Sequence, residues 1–411
     1  MTPKTIPILA ILVVACTAGQ PAVPEQAAPP RPPPADAPTT INPPPLPTTQ
    51  PAVDPTYVVW SPDGLPSDFQ EGVSGLSGVL GVTVVEVGNL HIVETRDSGG
   101  RLVDRPPPGF VIPVEGVVLQ ADSYAGLIDP MTAALIGSLG PDEIVLGSSS
   151  AALRRLGVGA RIVFEGGGSK AVAAVVGDEE FGTAEVLAVG EPFSVENSQR
   201  QYALVRYAGD LARLEEALAA IMPQESVFRV RQTGVGGARR RAILPQLAIK
   251  QTFGEFAYRP TSRGRFDVDP QWRAANIISV DLPLLGRTQC HRIFGELLAD
   301  VMNDVIAAGL EELIDPDAFH GCWVSRYIAG TARLSRHAFG AAADINFGNS
   351  LDGGPGSPVN QHLLEAMAAA GITSGHIWAR PDPGHFEYYG LDLSDPVSGS
   401  DMENARSGDY G

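Results

Sequence analysis

Positive charge is scarce in this chain: 29 Lys and Arg stand against 47 Asp and Glu, a net charge of −18 over 411 residues. Phosphate backbones are held by clustered Lys and Arg, so this balance excludes a nucleic acid as partner. Arg239-Arg240-Arg241 is the one tight basic run and reads as a solvated loop. Long apolar runs are missing as well. The run Ile6 to Ala15 is too short to span a bilayer as a helix, which takes about 20 residues. Cysteine is rare, with 3 in the chain, and neither Cys290 nor Cys322 has the local setting of a thiol nucleophile. A phosphate loop is lacking too. Gly166-Gly167-Gly168-Ser169-Lys170 lacks the G-x-x-x-x-G-K-[ST] spacing and is followed by no helix signal, so it reads as a hairpin turn.

What is present begins with an export signal. Lys4 precedes the apolar run, which ends at Val13-Val14-Ala15-Cys16. That end resembles a bacterial lipoprotein signal box, and the resemblance implies that Cys16 becomes the lipidated first residue of the mature protein, anchoring it to a membrane. Ordinary signal cleavage, with Cys16 discarded, is the other reading. Either way residues 1–16 are expected to be a signal segment, and the protein to be exported and extracytoplasmic. Residues 17–56 are dominated by Pro, Ala, Thr and Gln, as in Pro29-Pro30-Arg31-Pro32-Pro33-Pro34. Such proline density excludes helix and central strand, and leaves an extended linker with a reach of about 100 Å.

Apolar content of 44% allows sizeable cores. Residues 57–240 read as a β-rich α+β domain. Val79 to Val87 and Gly109 to Gln120 are strand-like, and Asp142 to Gly147 is a strand leading into a helix over Ser148 to Leu156. A strand–helix–strand unit comes next, over Tyr202 to Tyr207, Asp210 to Ile221 and Ser226 to Arg231. The order around Ile144 to Phe164 resembles the extracellular domain of ABC-transporter permeases of the macrolide-exporter type. His91 stands alone in an apolar run and reads as a structural histidine. Residues 241–276 read as an irregular connector whose aromatic residues, Phe253, Phe256, Tyr258, Phe266 and Trp272, pack against the C-terminal region. A long amphipathic helix is predicted from about His291 to Ala308, stopped by Gly309, and a second helix starts at Ser357-Pro358.

The chemistry concentrates between Ser335 and Glu387. His337 and Asp344 stand in a stretch of Gly, Ala and apolar residues, and a tight turn into a strand lets both face one point. Asp382-Pro383-Gly384-His385 brings a second Asp and His to the same place. A hydrolytic zinc needs about three protein ligands, an open position for water, and a carboxylate outside the ligand set to move protons. His337, Asp344 and His385 supply the ligands and Asp382 the base. Glu387, two residues past His385, is either a carboxylate that orients a ligand or an exposed acid at a strand end. His291, His320, His362 and His376 are not needed at an open site. Cys290 and Cys322, about thirty residues apart, are either a disulfide, as expected of an exported pair, or two buried thiols.

S-x-H-x-x-G-x-A-x-D, read at Ser335, His337, Gly340, Ala342 and Asp344, followed by D-x-x-H-F-E at Asp382 to Glu387, resembles the VanY-type D-alanyl-D-alanine carboxypeptidase family of zinc peptidases. That family includes L-alanyl-D-glutamate endopeptidases. The resemblance covers about residues 276–390 and implies zinc at His337, Asp344 and His385, with Asp382 as general base. It also implies that Arg326 binds the substrate carboxylate or the developing oxyanion. Ser335 and Trp378 are expected to line the pocket, although Ser374-Gly375-His376-Ile377-Trp378 replaces the usual Gly-Gly-x-Trp run.

The expected fold class is α+β. A zinc peptidase domain at 277–392, with an antiparallel sheet and helices on one side, is preceded by the β-rich α+β domain and the Pro-rich tether, and followed by a flexible tail at 393–411. The substrate implied is the peptide stem of peptidoglycan, cut either as a D,D-carboxypeptidase or as an endopeptidase. Two other classes fit the same residues. One is a cell-wall-binding module with a non-catalytic metal site. The other is an assembly lipoprotein whose region 57–240 meets a protein partner.

Overall fold

The long strand Val79–Arg96 is the spine of the first half. Its 18 residues exceed the roughly ten that a strand usually reaches, so its two ends serve different neighbours. The first part lies antiparallel to Glu196–Tyr207, beyond which Thr56–Trp60 and Arg229–Gln232 complete an open edge. Helices Phe69–Ser74 and Leu211–Ile221 cover this part, burying Phe69, Val73, Leu214 and Leu218 against Tyr57, Val59 and Val205. The Asp210 carboxylate caps the second helix, accepting from the Arg213 N–H at 2.9 Å.

The far end of the spine closes a ring. From Val79–Arg96 the order runs through Ile112–Leu119, Val186–Val189, Glu143–Gly147, Gly168–Val176 and Arg161–Phe164. That last strand pairs back with Ile92 to Arg96 of the spine. Closure removes exposed edges, and Ile92, Val114, Ile144, Leu146, Ile162 and Phe164 fill the interior. The Gly166 to Lys170 segment joins two antiparallel strands of this ring, in keeping with a hairpin. His91 is held from both sides, its Nδ1 3.3 Å from Glu165 and its Nε2 2.8 Å from the Tyr258 hydroxyl.

The computed structural model describes residues 55–390 apart from 62–63, 129, 167, 179–183, 190–195, 225, 233–244, 262–263, 332, 349–360 and 379. The signal segment with Cys16, the tether up to 54, the arginine run at 239–241, the expected helix start at Ser357-Pro358 and the tail at 393–411 lie outside the described residues. Among the described residues no helix is long and apolar enough to cross a membrane.

Where the sequence reads as an irregular connector, the chain forms regular elements. These are a helix Gln246–Phe253, a two-stranded hairpin of Tyr258–Pro260 with Phe266–Val268, and a helix Pro270–Asn276 capped by Asp269. Each is too short for a periodic signal, and the aromatic residues that mask the pattern are there to pack. Phe253, Phe256, Tyr258 and Phe266 are buried with Phe294 and Phe339 in the core of the C-terminal half. Val111 of the first half belongs to that core, and Ala257 to the interior of the ring. Val111 and Tyr258 exchange two backbone hydrogen bonds of 2.8 Å. Residues Val53–Gly411 accordingly form one compact unit. Divisions at 240 and 277 we propose only as the limits of its two layers.

A buried cluster of charges crosses this junction. Glu185, at the ring, takes hydrogen bonds of 2.8 and 3.0 Å from the ammonium of Lys250, on the helix Gln246–Phe253. Arg154 bonds both Glu185 and Glu255. Lys250 and Glu185 are 1% and 0% exposed.

In the C-terminal half, the hairpin Ile277–Leu282 with Gly286–His291 feeds the helix Arg292–Ala307, which buries Phe294, Leu298, Val301, Met302 and Val305. A three-stranded antiparallel sheet places Asp382–Tyr388 between Ala342–Asp344 and Ile372–Gly375. The helix Gln361–Ala369 packs on the last of these strands.

Cys290 and Cys322 are joined, with Cα atoms 4.9 Å apart and a sequence separation of 32, so the reading of two thiols is overturned. Exchanging both for Ser is expected to lower stability by about 3–4 kcal/mol, since a loop of this length loses that much unfolded-state restraint. Thermal melts check this. A reductant should bring the wild type down to the Tm of the double variant and leave that variant unmoved.

Candidate metal centre

His337 sits in a single tight turn, Arg336–Phe339. Ser335 begins it by accepting the His337 backbone N–H on its Oγ at 3.3 Å. Ala338 and Phe339 anchor the turn in the core. Gly340 ends it with φ +66°, and a Cβ there would stand 2.5 Å from the His291 backbone nitrogen, so only glycine fits. The chain then passes through Ala341 into the strand Ala342–Asp344, and Ala341, Ala342 and Ala343 are fully buried. Register sets Asp344 directly opposite His385 and Ala342 opposite Glu387. Gly375 is required on the other side of the central strand, because a Cβ there would lie 2.5 Å from the Asp382 carbonyl oxygen.

Three donor atoms meet as a result. His337 Nε2 is 3.2 Å from Asp344 Oδ1 and 3.3 Å from His385 Nδ1, and His385 Nδ1 is 3.0 Å from Asp344 Oδ1. The outward nitrogens are both occupied. His337 Nδ1 lies 2.9 Å from the Cys322 carbonyl oxygen, to which it can only donate. His385 Nε2 lies 3.2 Å from Glu387 Oε2, a carboxylate that accepts its proton. These two bonds fix which nitrogens face outward, so that His337 Nε2 and His385 Nδ1 are the atoms free to ligate once a metal displaces the protons they share with Asp344. A tetrahedral zinc with bonds of about 2.0–2.1 Å holds its ligands about 3.3 Å apart, so the triangle fits such an ion. The disulfide joins this geometry from below, since Cys322 carries the carbonyl that orients His337.

Electrostatics agree. Burial pushes the Asp344 carboxyl up, but hydrogen bonds to His337 and His385 outweigh it and hold the group well below the usual carboxylate range. Burial pushes the His385 imidazole down, and bonds to Asp344 and Glu387 more than reverse this, lifting it to about 9. The pull on a proton at this point is the pull a metal cation would feel, and the two compete.

The other expected residues fall into two groups. Asp382 is half-buried at the start of the central strand. Burial raises its carboxyl above the usual range, against the opposing fields of His385 and Arg326. Arg326 is itself half-buried, and its field reaches Asp382. The Trp378 ring lies 5.0 Å from that of His385, which suits a wall of the site. Glu387 is 2% exposed and bonded to His385, so the reading of an exposed strand-end acid does not hold. Ser335 is 4% exposed with its hydroxyl committed to the turn, so it holds His337 in place and does not line a pocket. His291 is buried, its Nε2 3.1 Å from the Phe253 carbonyl, and burial drives it down to about 4. His320 packs on Phe347 at 5.2 Å, His362 is exposed, and His376 is half-buried; none is in the cluster.

Sequence reading missed Arg336, which is 7% exposed with its Nε 3.9 Å from Glu387 Oε1. Its place between Ser335 and His337 was the available signal.

Three inward-facing donors with both imidazoles oriented from behind are the makings of a metal centre. Residues 329–388 match the family described as D-alanyl-D-alanine carboxypeptidase, which supports a metallopeptidase over that stretch. No curated protein matches. Among solved structures, the extracellular domain of the noncanonic ABC-type transporter YknZ from Gram-positive bacteria is similar at 12% identity and a TM-score of 0.28. It covers 43% of this chain and 99% of its own. A likeness at that score brings neither fold nor partner to this protein.

Proposed function

We propose that this protein is an exported zinc peptidase that cleaves the peptide stems of peptidoglycan, as a D,D-carboxypeptidase or an L-alanyl-D-glutamate endopeptidase. The observation that carries this reading is the triangle of His337, Asp344 and His385, with each imidazole locked by a bond behind it. Those three residues would hold the metal, and zinc bound there would supply Lewis-acid polarisation and lower the pKa of water toward neutrality. Asp382 takes the proton from the attacking water and returns it to the leaving amine, a role suited to a carboxyl whose affinity for protons burial has raised. Arg326, with its field at Asp382, binds the substrate carboxylate or the developing oxyanion. Trp378 walls the site beside His385. Export and a lipid anchor on Cys16, with the Pro-rich segment as spacer, would bring the enzyme to its polymer.

The test is mass spectrometry of defined muropeptides incubated with the zinc-loaded full-length protein. Loss of a terminal D-alanine is the carboxypeptidase result, and a product beginning with D-glutamate is the endopeptidase result. Either should vanish with a chelator and return with zinc. Stoichiometric zinc without any product would sink the enzymatic reading in favour of a cell-wall-binding module.

A further inference from the structure

We propose that the Cys290–Cys322 disulfide is a positioning element for the metal centre, anchoring the segment 320–324 that holds His337 and Asp344 in place. This rests on the metal reading above and gives the bond a part in the site besides its effect on stability. Between 319 and 325 the chain forms no helix or strand. Backbone groups of this segment nevertheless meet both ligand residues. The Cys322 carbonyl accepts from His337 Nδ1 at 2.9 Å, and the Val324 N–H donates to the His337 carbonyl at 3.0 Å. The His320 N–H donates to the Asp344 carbonyl at 2.9 Å.

A segment with no ladder of its own takes its position from its anchors. The Trp323 N–H donates to the Gln289 carbonyl at 2.8 Å, and its indole N–H to the Ala338 carbonyl at 3.2 Å. The covalent anchor is the bond from Cys322 to Cys290. Cys290 is a firm base for it. It is fully buried and sits opposite Ile278 in the hairpin Ile277–Leu282 with Gly286–His291. The helix Arg292–Ala307 lies close against it, since a Cβ on Gly295 would stand 3.3 Å from the Cys290 Cβ. The neighbouring His291 N–H donates to the Gly340 carbonyl at 3.1 Å, tying the hairpin to the end of the ligand turn. The disulfide thus carries the rigidity of hairpin and helix to the carbonyl behind His337.

A carbonyl only accepts, so while Cys322 stays in place a proton sits on His337 Nδ1 and Nε2 is the atom left to ligate. Without the disulfide that carbonyl is free to shift, the ring gains its other tautomer and other orientations, and a metal must draw the competent form from the mixture. Losing a ligand's outer partner outright costs about 10- to 100-fold in metal affinity. The remaining hydrogen bonds keep part of the order, so the loss here should be smaller.

The test uses cobalt as the probe, bound to the full-length protein well below its Tm, with affinity read by chelator competition and ligand geometry by the visible absorption band. Cys290→Ala combined with Cys322→Ala is expected to weaken binding about threefold to tenfold and to shift the band. Proton spectra of the metal-free protein should show a sheltered His337 Nδ1–H in the wild type and lose it in the variant. Leu214→Ala, in the buried cluster of the first half, also lowers stability, and it should leave cobalt affinity and the band unchanged. Unchanged affinity in the double variant, or an equal loss in Leu214→Ala, overturns the inference. If the double variant fails to fold, the wild type is reduced with a water-soluble phosphine until Cys290 and Cys322 are both free thiols. The S–S bond breaks, the phosphine is oxidised, and water supplies its oxygen and the two thiol protons. Cobalt affinity unchanged or raised by that reduction overturns the inference on its own. Wild-type protein that binds no cobalt overturns the metal reading with it. Wild-type protein that binds cobalt and responds as described, yet cleaves no muropeptide, leaves the inference standing and removes only the peptidase reading.

Discussion

Asp382→Asn is expected to lower turnover of a cleavable muropeptide by about 10²–10⁴-fold while zinc content stays at the wild-type level. Asp382 lies outside the ligand triangle, so its neutral amide takes nothing from the metal, and it starts the same strand as His385, so the backbone has no reason to move. What disappears is the proton acceptor. The pH profile gives a second reading of the same residue. Burial raises the Asp382 carboxyl above the ordinary range. A base works ionised, so kcat/KM should climb as pH rises through the carboxyl's pKa, which burial pushes up and a bound cation pushes down, and the limb should be absent from whatever activity the Asn variant keeps. Full turnover in a zinc-loaded Asn variant would remove Asp382 from the mechanism and leave the base to be sought elsewhere.

The site was legible because its parts are close in sequence and chemically unlike their surroundings. His337 and Asp344 are linked by one turn and one strand, and the pairing of Asp344 with His385 needs only the antiparallel register of neighbouring segments. What orients them was not legible. The Cys322 carbonyl is a backbone atom with no residue signature, and Arg336 looks like any surface arginine until its burial is known. Ser335 was read as a pocket wall, and its role in the turn was not legible, because a serine two residues before a ligand shows nothing in sequence of which way its hydroxyl turns. In the first half the strand and helix segments were visible from their apolar patterns. The closure of the ring was not, because pairing of residues near 92–96 with 161–164 depends on long-range register that no local period encodes. The connector was missed for the reason opposite to disorder: its helices and hairpin are regular but too brief to show a period.

The buried charges at the junction make the second large prediction. Arg154, Glu185, Lys250 and Glu255 form a balanced set of two cations and two anions, tied together by direct bonds. Lys250→Met keeps the volume and the apolar stem but leaves two carboxylates facing one guanidinium, and it strips the Pro113 carbonyl of its donor. Breaking a buried pair in this way is expected to cost about 3–5 kcal/mol, seen as a Tm lower by roughly 6–10 °C. Adding Glu185→Gln restores balance, with Arg154 still bonded to Glu255, and should recover more than half of the loss. The sign with pH can be worked out. Burial pushes the Glu185 carboxyl up, but Lys250 and Arg154 outweigh it and hold the group below its ordinary value. The stability this gives is complete above the unfolded pKa, about 4.3, and fades as pH falls through the lower folded value. The gap between wild type and Lys250→Met should therefore narrow in acid, since the variant has little of that stability to lose. A gap that holds constant from neutral pH to acid would mean that Lys250 matters for packing alone. The first half would then be joined to the peptidase half by shape, without the charges that the structure sets between them.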